Sequence, residues 1–134
     1  MTEVSLISLL ASGIVSLLIG FAWYHPKVFG GIWMRLSNIT PESQERGKRR
    51  MPVSAGITFL ASMVIAYVMS YFGIAWGVYD PIGAIELAFW IWIGFVAPTM
   101  LGTVLWEQKP FLLYVINVGF WFVALVAIAI VLVF

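Results

Sequence analysis

GFAWYHPKVFGGIWMRL, residues 20–36, is where the first long apolar run of the chain stops. Trp23, Tyr24, His25, Pro26 and Lys27 follow one another there. Tryptophan and tyrosine at the end of an apolar run, with a lysine just beyond, are the usual residues of a membrane–water interface. The residue before a proline avoids the α region, so His25-Pro26 is expected to end the helix. Residues 4–24 therefore read as a helix leaving a membrane. His25 is the sole histidine, which excludes a histidine-rich metal site and makes a structural role at the helix end the expectation.

Working outward, the rest of the chain has the same character. Of its 134 residues 63% are hydrophobic and 10% charged, against about a quarter charged in a soluble domain. A helix needs about 20 apolar residues to cross roughly 30 Å of hydrocarbon. Apolar stretches of that length run at about 4–24, 53–76, 82–105 and 111–134. Pro52, Pro81 and Pro110 each stand just before or at the expected start of the next span, where a missing N–H costs little. The first stretch lacks the basic leader of a cleavable signal: Glu3 precedes it and no lysine or arginine does. Without cysteine, disulfides and thiol chemistry are excluded.

Charge sets the orientation. Lys27, Arg35, Arg46, Lys48, Arg49 and Arg50 lie between spans one and two, and Lys109 lies between three and four. The other connections and both ends hold none. The positive-inside rule then places loop 25–52 in the cytoplasm and both termini outside, in a multi-pass protein of the cell (inner) membrane. Within the loop, Thr40-Pro41-Glu42 reads as an N-cap, a proline at the first helical position and an acid in the first turn. The basic group 46–50 is expected to close that short helix at its C-terminal end. Ile32, Trp33 and Leu36 are expected in the headgroup layer with Arg35 reaching to water.

The opening stretch also carries a family likeness. Trp23-Tyr24-His25-Pro26-Lys27-Val28-Phe29-Gly30-Gly31-Ile32-Trp33-Met34 resembles the start of the small bacterial membrane proteins of domain of unknown function family 1761. Thr40-Pro41-Glu42 is similar to that family too, as is the stretch from Gly94 through Pro98-Thr99 and Glu107-Gln108-Lys109-Pro110 to Asn117. The resemblance implies four spans and supplies no activity.

Small and polar residues recur every four positions. Ser5, Ser8, Ser12, Ser16 and Gly20 do so in the first span, Ser54, Thr58, Ser62, Ala66 and Ser70 in the second, and Glu86, Trp90, Gly94, Pro98 and Gly102 in the third. Such stripes serve close helix packing in membranes, and packing is the expectation here rather than a pore lining. Glu86 is the most suggestive single residue, because an intramembrane carboxylate is costly and a functional candidate by default. It falls about one turn inside the outer end of its span, within reach of Ser5, Ser8, Ser70 or Tyr71. Asn117 lies about 9 Å inside the other end, at the depth of Thr99. Pro98 frees the Gly94 carbonyl nearby, so Asn117 is expected to bond that region and clasp two helices.

The sequence thus specifies an all-α integral membrane bundle of four transmembrane helices, a single domain over 1–134, with a short amphipathic cytoplasmic loop between helices one and two. Two functions remain in view. One is a helix-packing, self-associating membrane protein with no turnover of its own, hence no enzyme. The alternative is a small proton- or ion-coupled transporter or channel using Glu86. A lipid-directed enzyme ranks below both, since no nucleophile–base pair stands out. Expected partners are membrane lipids and a second copy, with Lys27, Arg35, Arg46, Lys48, Arg49 and Arg50 meeting anionic headgroups. No nucleic acid, cofactor or metal is expected.

Overall fold

The computed structural model describes all residues 1–134 and is all-α. Its helices are α1 (Leu6–Trp23), α2 (Gly31–Leu36), α3 (Pro41–Ala75), α4 (Pro81–Ile91), α5 (Ala97–Met100), α6 (Gly102–Leu105) and α7 (Phe111–Val133), with π-helical turns at Pro26–Gly30 and Trp92–Val96. Four helical stretches are long and apolar enough to cross a membrane: α1, α3, the segment Pro81–Leu105 and α7. The four-span expectation holds.

Local chemistry explains most of the boundaries. Thr40 Oγ1 accepts from the Ser43 amide at 3.1 Å, while Ser43 Oγ accepts from the Thr40 amide at 2.9 Å, a reciprocal cap with Pro41 in the first turn. Asp80 Oδ1 accepts from the Gly83 amide at 2.8 Å and Pro81 opens α4. Gly77 at φ 66° and Asn38 at φ 57° supply the left-handed residues that end α3 and α2. In each case the next amide reaches back five residues, Val78 to the Gly73 carbonyl and Ile39 to that of Met34.

Two expectations are corrected. The basic group does not close a short helix, and the helix of the second span does not begin at Pro52. Instead α3 is one helix of 35 residues with Pro52 inside it. A proline removes one amide and orphans the carbonyl four residues earlier, here that of Lys48. That carbonyl sits on an exposed stretch where water can bond it. Helix breaking is therefore avoided at the cost of a single bond. The third span, in turn, is interrupted: α4 ends at Ile91 and a π turn follows, just before Pro98. The proline ring would press on the Gly94 carbonyl of a regular helix, and a locally wider turn relieves that pressure. Thr99 Oγ1 donates to the Phe95 and Val96 carbonyls of the widened turn.

The helices pack in the lateral order α3, α1, α7, α4, with α3 only brushing α7 and α4. Of the most apolar window of α7, 44% is buried, against 11% for the third span, so α7 is the centre and α4 a flank. The α1–α3 contact uses the small stripes as expected: Ser12, Ser16, Ser62, Ala66 and Ser70 are buried. Ser62 Oγ donates to Ser16 Oγ at 3.0 Å across the interface. The third stripe is a correction. Glu86, Trp90, Gly94 and Pro98 face outward, and Ala84, Leu87 and Ala88 are buried instead, against α7. The alanine at Ala129 lets α4 approach closely. The main core gathers at the Asp80 end, around Met69, Leu87, Leu125 and Ile128.

Candidate functional site: an aromatic clasp beside a crevice

At the opposite, basic end the opening stretch folds back on itself. Tyr24 caps α1, and the His25 Nδ1 accepts from the Lys27 amide at 3.1 Å, so this histidine ends one helix and starts the next turn. Phe29 then returns to Trp23 with ring centroids 4.6 Å apart, and Trp33 meets Tyr24 edge-on at 5.7 Å. Gly30 lies so near the chain that a Cβ would stand 1.9 Å from the Tyr24 carbonyl oxygen. No other residue fits there without moving the turn.

Both leading aromatics reach across to α7. Trp23 Nε1 donates to the Ile116 carbonyl at 3.0 Å, and the Tyr24 hydroxyl donates to Asn117 Oδ1 at 2.7 Å. The expected bond from Asn117 to the Thr99–Gly94 region does not form. Thr99 turns back onto its own helix and Asn117 clasps α1, not the third span. The third span is pinned to α7 by other groups. The Trp92 indole donates to the Val118 carbonyl at 2.7 Å, and the Tyr114 hydroxyl to the Ala97 carbonyl at 2.7 Å. The Leu101 amide bonds Pro98, leaving that Ala97 carbonyl open to Tyr114.

Sequence reasoning treated Trp23 and Tyr24 as interface residues and missed their inward bonds. The signal was present: an indole N–H and a phenol O–H seek a partner when half-buried, and Asn117 stands near the same end of the bundle.

Beside the clasp, a crevice of about 290 Å³ opens between α1 and α3, with Phe120 of α7 at its floor. Ser16, Gly20, Tyr24, Ser54 and Thr58 line it, with Met51 nearest the basic segment. The basic side chains Arg46, Lys48, Arg49 and Arg50 are exposed on the turns of α3 just before Met51. Only Lys48 has an ionic partner, Glu45 at 3.8 Å. Lys27 and Arg35 are likewise exposed, on the first π turn and on α2.

Glu86 lies at the other end, apart from all of these. Its side chain is exposed and lines a groove of about 240 Å³ with Trp76, Asp80 and Trp90. Two of the residues expected near it are engaged elsewhere: Ser70 donates to the Ala66 carbonyl and Tyr71 pairs with Tyr67. Glu86, Asn117 and Thr99 are thus not brought together.

Comparison with curated proteins gave no match, and comparison with solved structures gave none. A family described as a protein of unknown function, DUF1761, matches over residues 7–133, a stretch that holds the clasp, the crevice and all four apolar helices, and the chain belongs to that family.

Proposed function

We propose that this protein works by helix packing and association within the membrane, without turnover of its own. The observation that carries the reading is the fate of its polar groups. No side-chain nitrogen or oxygen buried in the bundle lacks a hydrogen-bond partner. The Trp23 and Trp92 indoles, the Tyr24 and Tyr114 phenols, Asn117 and the Ser16–Ser62 pair are spent on helix contacts, while every charged side chain stays exposed. A transport path through the bundle needs buried polar groups held open for cargo, and those buried here are closed on one another or on backbone carbonyls. Two helical glycines, Gly56 and Gly94, face out with nothing within 4 Å of an added Cβ, which suits close approach by a second copy. The basic segment and Lys27 and Arg35 suit anionic headgroups on the cytoplasmic side, the side the positive-inside rule assigns them.

The rival reading uses Glu86 as a proton carrier. Its exposure in a groove at one end, without a polar route to the basic end, favours packing. Reconstituted protein and the Glu86→Gln variant should both give proton and cation flux at the level of empty liposomes. Flux above that level, lost in the variant, sinks the packing reading. The amide keeps the shape of the acid but cannot titrate.

A further inference from the structure

The crevice beside the clasp has an order of groups along α3 that the packing role does not use. Starting from the basic segment, Lys48 and Arg50 come first, one helical turn before the lining residues Met51 and Ser54. Gly47 lies on the same turn, with open space where a side chain would be. Ser54 follows about 6 Å beyond Arg50 along the helix and Thr58 about 12 Å beyond it. The Ser62 and Ser70 hydroxyls, further on, are bonded within the chain, whereas those of Ser54 and Thr58 are on exposed residues and make no hydrogen bond. Beside the hydroxyls the walls are apolar, with Leu17, Phe21 and the Phe120 ring. Cations therefore stand at the mouth, and hydroxyl donors among hydrocarbon walls follow with depth. A phospholipid presents phosphate, ester carbonyls and acyl chain in that same succession.

We propose that this crevice seats one anionic phospholipid, its phosphate held by Lys48 and Arg50, its ester carbonyls accepting from Ser54 and Thr58, and an acyl chain lying between α1 and α3 against Phe120. The Glu45–Lys48 pair does not compete strongly, because an exposed ion pair contributes little. Neither does the acyl chain gain by leaving other lipid tails, since both surroundings are hydrocarbon. Selectivity therefore rests on the charges and hydroxyls, and shape decides whether the lipid can enter. The inference rests on the proposed association with anionic lipid and goes beyond it by fixing one lipid in one place.

The test uses the full-length protein in neutral detergent and counts retained lipid by native mass spectrometry. Dioleoyl phosphatidylglycerol is compared with dioleoyl phosphatidylcholine. One phosphatidylglycerol per chain is expected, with little phosphatidylcholine. Removing both cations in Lys48→Gln/Arg50→Gln should weaken retention roughly thirtyfold at low salt, at about 1 kcal/mol for each charge near the headgroup. Ser54→Phe fills the crevice from its open side and should reduce retention at least as far as the phosphatidylcholine level. Leu60→Phe, exposed on the same helix but outside the crevice, should leave retention unchanged, and thermal unfolding of each variant confirms the fold. If the charge variant loses lipid while Ser54→Phe keeps it, the anionic preference stands and the seat is overturned. Equal retention of both lipids by the unaltered protein overturns the preference and the seat together. Displacement by soluble glycerol phosphate at the concentration of the lipid would also overturn the seat, because that probe meets the charges and leaves the crevice empty.

Discussion

The bond between the Tyr24 hydroxyl and Asn117 Oδ1 can be weighed by a double-mutant cycle. Tyr24→Phe removes the hydroxyl and keeps the ring against Trp33 and Phe120, whose centroids stand 5.7 and 5.5 Å away. Asn117→Leu removes the acceptor while keeping the branching of the side chain. Each single change leaves one polar group without its partner, at a place where the surroundings are aromatic and aliphatic. Hydrogen bonds between membrane helices contribute on average about 0.6 kcal/mol and at most about 1.7. At 2.7 Å and half-buried, this one belongs in the upper part of that range, so each single variant should lose about 1 kcal/mol. The double variant should lose little more than either single, because the second change removes a group already stranded. Reversible unfolding in mixed micelles, followed by circular dichroism, measures all four corners. The neighbouring bond from the Trp23 indole is untouched by these changes, which keeps the cycle clean. Additive losses in the two singles would mean that the two groups do not act on each other, and the clasp would then be reduced to ring packing.

Three further outcomes follow from the same geometry. Gly13→Val places bulk where even a Cβ would stand 2.6 Å from the Phe59 ring, so α1 and α3 should separate with a loss of about 1–3 kcal/mol; an unchanged unfolding midpoint would show that Phe59 simply swings away. Gly30→Ala drives a methyl into the Tyr24 carbonyl and should lower stability more than Gly47→Ala, which meets nothing within 4 Å; equal effects in a thermal melt would count against the tight turn. Single cysteines at Ser43 and Tyr79 should label from opposite faces of the membrane, with Tyr79 reached by an impermeant reagent in intact cells; labelling of Ser43 from outside would reverse the charge-based orientation.

Which parts of this arrangement were legible follows from what each residue answers to. Span number and the cap at Thr40 depend on local chemistry and hydropathy, and these are written in contiguous residues. The stripes of α1 and α3 were legible because small residues repeat at helical spacing and the two helices meet along them. The stripe on the third span has the same spacing but faces outward, since periodicity marks a face without naming its neighbour. Pro52 misled because a proline ends a helix only when the freed carbonyl has no substitute partner, and here exposure supplies one. The partner of Asn117 depended on which helices adjoin. Tyr24 and Thr99 are both plausible at its depth, and only the lateral order α3, α1, α7, α4 and the inward turn of Tyr24 choose between them.

That lateral order raises a question about α7 itself. Its sequence is apolar on all sides, so hydrophobicity gives it no preferred rotation against its neighbours. In hydrocarbon the usual drive to bury one face is absent as well. Rotation is set instead by polar groups that reach α7 from both sides at one end. The Trp23 indole takes the Ile116 carbonyl, Tyr24 takes the Asn117 side chain, and the Trp92 indole takes the Val118 carbonyl. Tyr114 reaches out in the other direction to the Ala97 carbonyl. A helix carbonyl has a second lone pair after serving its own helix, so the indoles bond there without undoing α7. Turning α7 by one residue moves each group by about 100° around the axis and breaks all four contacts at once. The small residues Ala124 and Ala129 then permit close packing towards the other end, but they do not select it. Polar pins near the basic end choose the rotation, and close packing at the Asp80 end holds what they choose.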